Sequence, residues 1–179
     1  MSTDPVRILG IDPGLNTTGY GVLEVRPSGP IVMEAGVVRS VEGREKAEMA
    51  DRLSALYDGI VEVIDQFHPK IAAMEQLYSH YDHPRTAILM AHARGTLMLA
   101  CAQHGMKVIS YASTRIKKTI TGAGRASKEQ VQRTMMRELK LAKLPEPNDV
   151  ADALAAALCH YYAEFATGKL PDVVDAEEV

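Results

Sequence analysis

Four acidic residues stand where a carboxylate needs a reason. Asp12 follows the short apolar run Ile8 to Ile11 and opens the turn Asp12-Pro13-Gly14, while Glu75 ends a second run, Ile71 to Met74. Asp149 and Asp152 lie three apart, just after Pro145 and Pro147, so both face the same side of a helix. The first three have ordinary explanations. Aspartate before Pro-Gly is a favoured turn residue, a glutamate at a strand end can reach water, and an acid in a helix's first turn is favoured by the macrodipole. Asp152 resists such an account. Its neighbours from Val150 to Leu158 are all Val, Ala or Leu, the pattern of a helix buried on most sides, where an unpaired carboxylate costs several kcal/mol.

No basic residue adjoins these acids locally, so a divalent cation is the economical partner. Hard carboxylate oxygens suit magnesium, which takes few protein ligands and keeps room for water and a substrate phosphate. The chemistry that follows is phosphodiester hydrolysis, in which one ion activates water and a second steadies the leaving oxygen.

The elements that must bring the acids together are legible from periodicity. Val6 to Ile11, Gly19 to Val25 and Ile31 to Arg39 read as three strands joined by short turns, hence an antiparallel meander. Along the first, Ile8, Gly10 and Asp12 share one side, and Leu9 and Ile11 the other. Glu45 to Phe67 changes to helical spacing. Ile71 to Met74 is a fourth strand, Gln76 to Pro84 a loop, Arg85 to His104 a helix entered at Pro84, and Val108 to Tyr111 a fifth strand. Two helical stretches separated by Gly122-Ala123-Gly124 follow, then a last helix from Asn148, expected as its N-cap, to about Phe165. The expectation is an α/β fold, with one domain over residues 1–167 and an acidic, flexible C-terminal tail over 168–179.

The net charge of -3 argues against a generally basic nucleic-acid binder, but the charge is unevenly spread. Lys107 to Lys143 holds ten of the twenty Lys and Arg residues against two acids, Glu129 and Glu138. A local basic face is what polyanion binding needs, because phosphate attraction acts over about 8 Å at physiological salt; solvated helix faces are the alternative. Cys101 and Cys159 form neither a CxxC pair nor a disulfide framework and are expected to be reduced and buried. With no leader-like opening and no apolar run free of charge, a soluble cytoplasmic protein without membrane contact is expected.

The local wording adds a resemblance. Gly10-Ile11-Asp12-Pro13-Gly14 with Thr18-Gly19-Tyr20-Gly21, then Glu75-Gln76 and Ala93-Arg94-Gly95, resemble successive motifs of the RuvC family of Holliday junction resolvases. So do Tyr111-Ala112, Lys117, Thr119, Gly122, Gly124, Ser127-Lys128 and Gln130-Val131, followed by Asp149 and Ala151-Asp152-Ala153-Leu154-Ala155. The resemblance runs in order from about Ile8 to His160. It implies an RNase H-like fold, a five-stranded mixed sheet with helices on both faces. It also implies a homodimer that nicks opposite strands of a four-way DNA junction in recombination and repair, and a RuvA–RuvB branch-migration complex as partner. Asp12, Glu75, Asp149 and Asp152 match the family's catalytic, metal-binding acids, which implies two Mg2+ ions per site with Mn2+ as a possible substitute. Lys117 and Lys128 match DNA-contacting lysines, Lys118 is their neighbour, and Tyr78 holds the place of an aromatic that probes the junction centre. The loop Ser79 to Arg85 departs from the family pattern and is one residue longer. Its His80 and His83 lack further ligands at metal-site spacing and read as polar loop residues.

Two other functions remain open at this stage. A catalytically silent junction-binding module would share the fold but not need all four acids. An actin-like ATPase or sugar kinase would use Gly14 and Gly19 around a phosphate, although it needs a second such domain.

Overall fold

The computed structural model describes residues 5–40, 47–77 and 84–166. Five strands form one mixed sheet: β1 (Arg7–Asp12), β2 (Thr17–Glu24), β3 (Ile31–Arg39), β4 (Ile71–Glu75) and β5 (Lys107–Tyr111), in spatial order β3-β2-β1-β4-β5. The first three make the antiparallel meander that their short turns require, and β4 and β5 add parallel to β1. Such parallel returns need crossovers. The helices α1 (Met49–Phe67) and α2 (Pro84–Gln103) supply them.

Alternation along the central strands divides the apolar residues between two cores. Leu9, Ile11, Ala72 and Met74 face α1 and α2, which contribute Leu56, Ile60, Ala93 and Leu97. Ile8 and Ala73 face the opposite way, toward α3 (Ser113–Thr121), α4 (Lys128–Glu138) and α5 (Asn148–Glu164). Helices therefore cover both faces, the RNase H-like arrangement expected from sequence. Both cysteines are free and buried, and burial pushes the Cys101 thiol up to about 12, so neither is a nucleophile.

One helix cap differs from the expectation. Pro147, extended at φ -66° and ψ 179°, is the N-cap of α5, and Asn148 is already helical. Proline's fixed φ and missing N–H suit the helix entrance, so the chain enters one residue before the asparagine that could have capped it. Glu24 is a feature that strand patterning missed. It is 5% exposed, with Arg7 at 3.0 Å and Arg26 at 2.8 Å holding its carboxyl below the usual range.

Candidate active site

The strand register brings two acids to one edge. In the parallel β1–β4 pair Ile11 stands beside Met74, so the next residues, Asp12 and Glu75, leave neighbouring strands together. Each is an even number of residues from Ile8 or Ala73 respectively, on the side that α5 covers.

α5 reaches them because the sheet is bare where the helix crosses β1 and β2. A Cβ on Gly10 would stand 1.9 Å from the Ala153 carbonyl oxygen, and one on Gly19 would stand 2.0 Å from that of Asp149. Since Gly19 is also the cross-strand partner of Asp12, the first turn of α5 is seated against the strand end that carries Asp12. The space over Gly19 that a nucleotide phosphate would need is filled by the helix.

The electrostatics follow from this crowding. Burial, then the charges of Asp152, Glu75 and Asp149, push the Asp12 carboxyl from 3.8 up to about 8, with Lys128 opposing. Glu75 is raised, mainly by burial and then by Asp152, against the Ser113 hydroxyl that hydrogen-bonds it and the charges of Lys117 and Lys128. Asp152 is raised by burial and by Asp149, against the same two lysines. The four acids expected from sequence thus share one electrostatic field. The missing local cations of the sequence reading are supplied through the fold by Lys117 and Lys128.

A hard divalent cation fits this donor set by charge and chemistry. Burial first, and then the three neighbouring acids against Lys128 alone, hold the Asp12 carboxyl up at about 8. The acids are not a finished cage. Among the described residues no three His, Cys, Asp or Glu side chains converge as ready-made ligands.

A cleft beside the acids is lined by Glu75, Ser113, Lys117 and Asp152, with Ile116 and Val131 behind them. Lys128 is the first residue of α4, whose Ser127–Gln130 capping box holds the helix start. A cation there opposes the helix dipole, so helix stability alone does not account for it. Lys118 is exposed on α3 and is not among the leading charges acting on the acids. Arg94, recognised only as part of a motif, ties α2 to the site: its Nε donates to the Glu75 carbonyl at 3.2 Å and its terminal nitrogen to Ser110 at 2.6 Å. Ser113 was missed altogether, since a serine opening a helix carries no catalytic signal. Tyr78, His80 and His83 lie outside the described residues, as does the 168–179 tail.

Residues 8–160 match the family model described as crossover junction endodeoxyribonuclease RuvC. This chain belongs to the RuvC family. A relative so described from Rhodopirellula baltica is 49% identical over 87% of this chain and 85% of its own. Another, from Nitrobacter hamburgensis, is 43% identical over 89% and 91%. The structure of Thermus thermophilus RuvC in complex with Holliday junction substrate superposes with a TM-score of 0.79 at 30% identity, covering 90% of this chain and 97% of that one. The match begins at Ile8 and ends at His160, so it contains all four acids and both lysines whose charges act on them. Among the described residues no helix is long and apolar enough to cross a membrane.

Proposed function

We propose that this protein resolves four-way DNA junctions, hydrolysing phosphodiesters at the site of Asp12, Glu75, Asp149 and Asp152 with Mg2+, two ions per site, as cofactor. The observation that carries the reading is the Asp12 carboxyl, raised to about 8 within the field of three other acids at the end of β1. A bound divalent cation supplies Lewis-acid and water-activating chemistry; the four carboxylates would hold it. Lys117 and Lys128 draw the phosphate backbone toward the acids and offset part of their charge. Ser113 orients Glu75. Incubating the full chain with a labelled synthetic junction, a linear duplex and a nucleotide, with and without Mg2+, tests the whole reading. Junction-selective nicking only with Mg2+ is the expected result, and nucleotide turnover without nicking would overturn it.

The lysine role has its own measurement. Lys128→Ala should reduce the dependence of log affinity on log salt by about one ion's worth of slope. It should also raise Asp12 further, because Lys128 is the group that lowers it. Titrating junction binding against salt checks the first point, and an unchanged slope would leave Lys128 off the DNA.

A homodimer would place two such sites on a nearly two-fold-symmetric junction. The support is on α2, where Ile88 is 58% and Leu99 53% exposed. Eleven residues separate them, about three helical turns, so they share a face. Gly95 lies between them with open space over it. Leu99→Glu would bury an unpaired charge in that contact, at a cost of about 3 kcal/mol or more. That corresponds to weakening of the dimer by at least ~100-fold. Analytical ultracentrifugation should then find monomers, and a cruciform plasmid should accumulate single nicks in place of linear product. Coupling to a RuvA–RuvB branch-migration complex belongs to the same proposal.

A further inference from the structure

A buried polar contact joins the two halves of the candidate site. Tyr111, 2% exposed, and His160, 3% exposed, lie in the apolar core between α3, α4, α5 and the sheet. The Tyr111 hydroxyl is 2.7 Å from His160 Nδ1. His160 Nε2, equally buried, has no hydrogen-bond partner among the described residues. Two phenylalanines would fill this space with no orphaned nitrogen, and replacing both partners of a buried hydrogen bond by apolar groups of similar shape is often neutral or stabilising. Stability alone therefore does not account for the pair. A hydrogen bond does supply direction, since it holds one relative placement of two elements that apolar surfaces alone would let slide.

Both ends of the contact lead to the acids. Tyr111 stands opposite Glu75 in the β4–β5 register, and its carbonyl accepts the Gln76 N–H at 2.9 Å. The next residue, Ala112, is the N-cap of α3, the helix that carries Ser113 and Lys117. The Arg115 guanidinium lies over the Tyr111 ring at 5.3 Å. At the other end, His160 is eleven residues beyond Asp149 on α5, about three turns along and on the same face.

We propose that the Tyr111–His160 hydrogen bond is a positioning latch that fixes Glu75, Ser113 and Lys117 relative to Asp149 and Asp152, the arrangement from which a divalent cation is bound. The inference rests on the metal-site reading above. Burial lowers the imidazole's affinity for a second proton and Lys107 acts in the same direction, against the opposing charge of Glu164. Burial likewise raises the tyrosine hydroxyl. A neutral ring and a retained phenolic proton let Tyr111 donate to Nδ1, which leaves the ring proton on Nε2. His160 and Tyr111 touch no substrate in this arrangement; they act through the elements they join.

The full chain is tested as Tyr111→Phe, as the double variant Y111F/H160F, and as Val63→Ala, a buried residue on the opposite face of the sheet that controls for lost stability alone. Three quantities are read: the melting temperature, Mn2+ binding by calorimetry, and the Mg2+ concentration giving half-maximal nicking of a synthetic junction. Tyr111→Phe should weaken Mn2+ binding and raise the Mg2+ requirement, each by about tenfold as for other groups that orient metal ligands. Its junction affinity without divalent ions should hold. The double variant should recover melting temperature but not metal binding, and Val63→Ala should lose melting temperature with metal binding intact. Wild-type metal binding by folded Tyr111→Phe, or recovery of metal binding along with stability in the double variant, would overturn the latch. A wild-type chain that neither binds Mn2+ nor nicks junctions would instead defeat the metal site itself, and the latch with it.

Discussion

Asp12→Asn should lose nicking by about 10³-fold, the upper range for removing one group that stabilises developing charge, while making the metal-free protein more stable. The two effects have one cause. Asp12 sits at the end of β1 with Asp152, Glu75 and Asp149 acting on it, and its carboxyl is pushed up to about 8. In the folded metal-free chain it is therefore costly to ionise, whereas the unfolded chain ionises it freely. Asparagine keeps the shape and cannot ionise, so it removes both that cost and the ligand. Partial exposure screens the site, and a gain of about 2 kcal/mol is expected, or roughly 4–8 °C in a chain of this size. Junction binding in Ca2+ should survive, because Lys117 and Lys128 are untouched. Undiminished nicking by Asp12→Asn would remove Asp12 from the reaction.

The same carboxyl sets a pH dependence whose sign can be worked out. Its folded value, about 8, lies above its ordinary value of 3.8. Below the ordinary value both folded and unfolded chains hold the proton, and nothing is gained or lost. Between the two values the folded chain alone holds it, so stability falls as pH rises through the window and levels off above about 8. The melting-temperature difference between Asp12→Asn and wild type should thus be near zero at about pH 4, widen toward pH 8 and level off above it. Raising pH through the same window should strengthen divalent-ion binding, since binding must displace that proton. Thermal melts of both proteins with chelator, across pH, check the claim.

The acids were legible in the sequence because two simple periodicities govern them. Strand alternation puts Asp12 on the Ile8 side, and a spacing of three puts Asp149 and Asp152 on one side of a helix. What periodicity cannot deliver is distance between elements. Gly10 and Gly19 read as strand or turn residues, and their actual use, letting α5 settle onto the sheet, depends on a helix more than 125 residues downstream. Lys117 and Lys128 were found through the family's wording. Their charges oppose those of the acids only once α3 and α4 have packed. His160 was hidden for a related reason, since a histidine near the end of an apolar helix is commonplace, and only its 2.7 Å contact with Tyr111 sets it apart. The helix begins at Asn148 as read, but its N-cap was assigned one residue late, because a capping asparagine and a helix-entering proline compete over the same turn and local preference does not rank them.

Gly10→Ala should be among the most damaging single-methyl changes in the chain, costing about 3 kcal/mol or more, at the top of the usual range for overpacking. The reason is what the added carbon meets. At 1.9 Å from the Ala153 carbonyl oxygen and 2.9 Å from the Ala157 Cβ, it presses on helix backbone that cannot turn aside, so α5 must lift from β1. Gly19→Ala is similar, at 2.0 Å from the Asp149 carbonyl oxygen, and displaces the very turn that carries Asp149. Gly21→Ala is the informative contrast. Its new carbon meets Leu154 side-chain atoms, Cδ2 at 2.5 Å and Cγ at 2.9 Å, which can give where a helix carbonyl cannot, so its cost should stay clearly below that of Gly10→Ala. At roughly 2–4 °C per kcal/mol, Gly10→Ala should melt about 6–12 °C below wild type and Gly21→Ala only a few degrees below. The lifted helix carries Asp149 and Asp152 away from Asp12, so folded Gly10→Ala, assayed at low temperature, should also need far more Mg2+ to nick a junction. Equal melting temperatures for Gly10→Ala and Gly21→Ala would mean that α5 does not rest on the bare strand, and the route by which the four acids meet would have to be sought elsewhere.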